Sequence, residues 1–121
     1  MDNIQLLRQA KKGKVVAFRG VYMRNELVGR VKGIESGIVN LDAKKGTHWV
    51  AYRKRGKIAF YFDPFGLPPP LELIRYLNCK IFYFTDQIQG LNDTNCGQLC
   101  LKFLYKKWIH LRSLLPASHQ R

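Results

Sequence analysis

The chain has 121 residues, 46% of them apolar, and carries 21 Lys and Arg against 8 Asp and Glu, a formal net charge of +13. That length suits one domain with a modest core, and no apolar run approaches the ~18 residues that cross a bilayer, so nothing in it is expected to span a membrane. The start, MDNIQLLRQAKKGK, lacks the apolar stretch of a secretory signal, and three cysteines (Cys79, Cys96, Cys100) argue against a disulfide framework and for a reducing, intracellular setting.

In chain order, Ile4, Leu6, Leu7 and Ala10 fall at helical spacing, with Asp2 or Asn3 as the N-cap, Lys11 and Lys12 in the last turn and Gly13 just past the end. Val15, Val16, Phe18, Val21 and Tyr22 predict an extended segment, and a polar loop then runs to about Ser36. Residues 37–41 read as a short strand. THWVAY (47–52) and IAFYF (58–62) are rich in β-formers and read as a hairpin joined by Arg53-Lys54-Arg55-Gly56-Lys57. Pro64 and Pro68 to Pro70 enforce a loop, and Pro70 suits the first turn of a helix over 71–77. KIFYFT (80–85) is another strand, 86–95 a polar loop, and Leu99, Cys100, Phe103, Leu104, Trp108 and Leu111 mark one last helix from Cys96 onward. The order predicts an α+β fold: a mixed, mainly antiparallel central sheet flanked by helices, in one domain over 1–121.

The positive charge is clustered. Four of the five residues 53–57 are basic, and no acidic residue follows Asp93. Such a balance favours polyanions, above all nucleic acid held through its phosphates in a salt-dependent way.

Chemistry concentrates in QGLNDTNCGQLC (89–100). Asn92, Asp93, Thr94 and Asn95 are all good N-caps, which places Cys96 in the first turn of the last helix, where the helix dipole favours a thiolate. Cys96 is equally readable as a small buried apolar side chain, and Cys100, one turn on, reads as a core thiol. A nucleophilic thiolate needs a base. His48 is the best-placed imidazole, since His110 lies late in the last helix and His119 in the tail. Asp63, fifteen residues on, ends the strand paired with that of His48, so it can reach the imidazole; it also reads as a turn former before Pro64. Gln89 is a candidate donor to an oxyanion together with the backbone N–H of Cys96, with Gln87 and Gln98 as rivals. The spacing of Cys96, Cys100, His110 and His119 misses that of a zinc site, so no metal is expected.

His48-Trp49, then Asp63 in FDPFG, then Gln89-Gly90, then Asn95-Cys96-Gly97 resemble the adenovirus-type cysteine proteases (adenain-like, including those of Polinton-type transposons and their viral relatives). That family belongs to the clan of the SUMO-deconjugating proteases. The resemblance runs from about Phe18 to Leu104. It implies an α+β fold with the nucleophile at a helix N-terminus. By position it implies Cys96 as nucleophile, His48 as general base, Asp63 as its orienting acid, Gln89 as oxyanion donor and Trp49 as the aromatic neighbour of the histidine. It further implies an endopeptidase cutting viral or transposon structural proteins at small-residue, Gly-Gly-like sites during particle maturation. No cofactor is implied beyond DNA or a short peptide as activators, and Cys79 falls near a cysteine that can link to such a peptide. The expected setting is the host nucleus or the virion for a viral protein, and inside the cell otherwise. A long helical extension after the catalytic helix is expected to be missing here. The rival expectations are a ubiquitin- or SUMO-type deconjugase and an inactive nucleic-acid-binding module.

Overall fold

The computed structural model describes residues 2–31, 33–41, 48–84 and 96–115. In chain order they form α1 (Asn3–Lys12), β1 (Phe18–Met23), a 3₁₀ turn (Arg24–Glu26), β2 (Glu35–Asn40), β3 (Trp49–Arg55), β4 (Ile58–Phe62), α2 (Leu71–Leu77), β5 (Lys80–Tyr83), α3 (Cys96–Tyr105) and α4 (Trp108–Arg112). The strands lie in the order β1-β2-β3-β4-β5. The inner pairs β2/β3 and β3/β4 are antiparallel and the outer pairs β1/β2 and β4/β5 parallel. The fold is α+β, a five-stranded mixed sheet with helices on both faces.

Strand periodicity explains the layers. Successive side chains point to opposite faces. Ile38, Trp49, Ala51, Phe60 and Phe62 therefore join Leu6, Ala10, Cys100, Phe103 and Leu111 of α1, α3 and α4. Val39, Val50, Tyr52, Ala59 and Tyr61 join Leu73, Tyr76 and Leu77 of α2 on the other face. The helix signals act as read. Asp2 caps α1 in a reciprocal box, its Oδ1 accepting from the Gln5 N–H and Gln5 Oε1 accepting from the Asp2 N–H, both at 2.8 Å. Pro70 precedes α2, and Asn78 ends it at φ +49°.

The hairpin departs from its expected form. β3 runs through Arg55, which pairs with Ile58, so only Gly56 (φ +62°) and Lys57 make the turn. Arg53 and Lys54 are strand residues, 8% and 7% exposed. Burying two adjacent cations is costly, and each is met by a helix C-terminus. Arg53 follows Trp49 and Ala51 onto the α3 face, where its Nη1 donates to the carbonyl of Lys106. Lys54 follows Val50 and Tyr52 onto the α2 face, where Nζ donates to the Leu77 carbonyl at 2.6 Å. Both sit where the helix dipole is negative. The last helix is also divided. α3 stops at Tyr105, Lys107 is extended (ψ 141°), and α4 restarts at Trp108.

A buried polar cluster crosses the α2 side. Glu35 Oε2 accepts from the hydroxyls of Tyr52 and Tyr76, each at 2.6 Å. Gly37 is needed here: a Cβ on it would stand 2.6 Å from the Tyr52 oxygen. Burial, reinforced by Glu35, pushes the Tyr76 phenol up to about 12 and Tyr52 higher still, while burial alone does most of the same to Tyr61. An unfolded tyrosine ionises near pH 10. Between that point and the folded value, the native state holds protons that the unfolded chain has lost. Their contribution to stability is thus complete below about pH 10 and drains away as pH rises through about 12. The urea midpoint should fall over that interval, and Tyr76→Phe should make the fall shallower. An equal slope in the variant would exclude Tyr76 as a contributor.

Candidate active site

β3 begins one residue after His48, and β4 ends one residue before Asp63. The register that pairs Ala51 with Phe62 thus brings the two residues to the same end of the sheet. The His48 carbonyl accepts from the Leu41 N–H at 2.8 Å, which ties its backbone to the end of β2. His48 Nε2 lies 3.0 Å from Asp63 Oδ1. An ionised carboxylate only accepts, so the shared hydrogen belongs to Nε2, leaving Nδ1 as the proton acceptor of the ring.

Asp63 fills both roles open to it in the sequence. Its carbonyl accepts from the Gly66 N–H at 2.8 Å, closing the Asp-Pro-Phe-Gly turn, and Oδ1 also accepts from the Phe65 N–H at 2.8 Å. The side chain is 1% exposed, and Oδ2 has no hydrogen-bond partner among the described residues. Phe65 adds a contact that the sequence reading did not assign. Its ring meets the imidazole edge-on, 4.9 Å between centroids, and fixes the ring plane from the side. The signal was the aromatic inside FDPFG, two residues beyond the acid.

Cys96 is the first residue of α3 and is 2% exposed. Cys100 adds a polar tie between α3 and the sheet, its thiol donating to the Trp49 carbonyl at 3.3 Å, next door to His48. Burial drives the Cys100 thiol well above its ordinary range, with Cys96 and Asp63 adding to the effect. α3 runs alongside β3 in the same direction, Cys100 beside Trp49 and Lys106 beside Arg53. Cys96 is one turn, ~6 Å, further towards the helix start. His48, Asp63 and Cys96 thus gather where β3 begins, β4 ends and α3 begins. Trp49 turns towards α1 instead, its Nε1 donating to Asn3 Oδ1 at 2.8 Å.

Gln89, its rival Gln87 and the expected capping residues Asn92 to Asn95 lie outside the described residues. Gln98 is exposed on α3, and His110 lies on α4. Cys79 stands half-buried between α2 and β5. Among the described residues no three His, Cys, Asp or Glu side chains gather as a metal site would require, and no helix is long and apolar enough to cross a membrane.

No protein-family model matches the chain, and no curated protein does. Among solved structures it is similar to the ASFV pS273R protease, at 20% identity and a TM-score of 0.51, over 85% of this chain and 54% of that one. The chain thus spans about half the length of that protein, and at this identity the likeness is one of fold.

Proposed function

We propose that the chain is a cysteine endopeptidase in which Cys96, His48 and Asp63 form the catalytic triad. The observation that carries this reading is the 3.0 Å bond between His48 Nε2 and a buried Asp63, at the sheet end where α3 begins with Cys96. The fold shared with a viral protease supports it.

In this reading His48 Nδ1 takes the thiol proton, and Asp63 stabilises the resulting imidazolium. The Cys96 sulfur attacks the scissile carbonyl. The oxyanion is met by the first backbone N–H groups of α3 and the Gln89 amide. The tetrahedral intermediate collapses to a thioester as His48 gives its proton to the leaving amine. His48 then takes a proton from water, which hydrolyses the thioester and restores the thiol. The substrates are viral or transposon structural proteins cut after small residues.

A peptide ending in Gly-Gly and carrying a thiol-reactive warhead tests the site directly. One adduct on Cys96 is expected, with Cys79 and Cys100 unmodified, and His48→Ala should slow the labelling at least ~100-fold. Preferential labelling of Cys79, or a rate indifferent to His48, would reject the triad.

A further inference from the structure

At the opposite end of β3 and α3 lies a groove of about 540 Å³. Arg55 ends β3, ~23 Å along the strand from His48 at ~3.3 Å per residue, so this groove is separate from the candidate active site. Arg53 forms its floor, and Lys14, Arg55, Lys106 and Lys107 line it together with Trp108. Five cations thus share one concave surface. None of them joins an ion pair among the described residues, whose pairs are Arg19–Glu35, Arg24–Glu72 and His48–Asp63. Arg53 is more than nine-tenths buried, and its one hydrogen bond among the described residues goes to the neutral carbonyl of Lys106. Burial, then Arg55, lowers the affinity of its guanidinium for the proton. Five like charges lining one groove repel one another and are paired with no carboxylate among the described residues, and a bound anion would offset that repulsion.

We propose that this groove binds a compact polyphosphate, a small molecule carrying several phosphate groups. The volume is that of a small-ligand site, and all five cationic residues line that one groove. A duplex spreads its phosphates over a convex surface and would engage one or two of these side chains at a time. A single strand needs bare aromatic faces for its bases. Trp108 offers little: the guanidinium groups of Arg53 and Arg55 lie 5.8 and 5.1 Å from its ring centroid, and Phe60 meets it edge-on at 5.0 Å. Several phosphates on one small scaffold satisfy the whole set together, by charge-assisted bonds.

Titration of the whole chain with inositol hexakisphosphate and with tripolyphosphate in 150 mM salt tests this, read by calorimetry and by Trp108 fluorescence. Trp49 is buried at the far end of β3, so a signal lost in Trp108→Phe reports the groove. Micromolar binding is expected. Arg55→Glu with Lys107→Glu should weaken it at least ~30-fold, whereas Arg30→Glu with Arg75→Glu, the same change in net charge away from the groove, should not. Lys14→Gln, expected to weaken binding ~5-fold, replaces the double variant if that does not fold. Absence of binding, equal weakening in the two double variants, or displacement of hexakisphosphate by an oligonucleotide at a lower phosphate concentration would each overturn the proposal. The last outcome would assign the groove to nucleic acid.

Discussion

Cys96→Ala is expected to lower turnover of a Gly-Gly-containing peptide by ~10⁴-fold or more, to the background left by substrate binding alone. The chemistry needs a nucleophile that forms and then releases a covalent acyl intermediate, and a methyl group can do neither. The structural cost should be small. Losing one sulfur from a 2% exposed side chain costs about 1 kcal/mol, so circular dichroism should show an intact fold and the melting temperature should move by a few degrees. Cys79→Ser, at the half-buried link between α2 and β5, should retain turnover. Cleavage persisting in Cys96→Ala, or lost equally in Cys79→Ser, would remove Cys96 from the mechanism.

Asp63→Asn is expected to reduce kcat by ~10³- to 10⁴-fold with little change in KM. The amide keeps the shape of the side chain, and its oxygen can still close the turn by accepting from the Phe65 N–H. What it removes is the negative charge facing Nε2. Without that charge the imidazolium formed in the transition state is unsupported, even though the same oxygen can still accept from Nε2. The loss should be strongly non-additive with that of Cys96→Ala, because the residues act as one unit. A variant that keeps kcat and only melts at a lower temperature would show that Asp63 is a turn residue holding a passive histidine.

Local signals made much of this protein readable. Asp2, Lys11, Lys12 and Gly13 bounded α1, and Pro70 bounded α2, because caps and proline act within a few residues. His48 and Asp63 were also within reach of sequence reasoning, since a tight hairpin fixes which residues of its two strands become neighbours. The failures share a cause. Arg53-Lys54-Arg55 looked like a basic loop, because burying those side chains depends on the ends of α3 and α2, 53 and 23 residues away in the chain. The division of the last helix at Lys106 and Lys107 was invisible for the same reason. No glycine or proline marks it, and the Lys106 carbonyl is taken by Arg53 across the sheet face.

By itself the sequence determined the α+β class, the capped helices, the hairpin and the residue types of the candidate site, all from patterns a few residues long. Only the tertiary structure decided which cations are solvated and which cap helices, that Phe65 steadies His48, and that two ends of the same strand carry different chemistry. Those features depend on which distant carbonyls, rings and charges share a low-dielectric interior, and that is a property of packing and of no single segment.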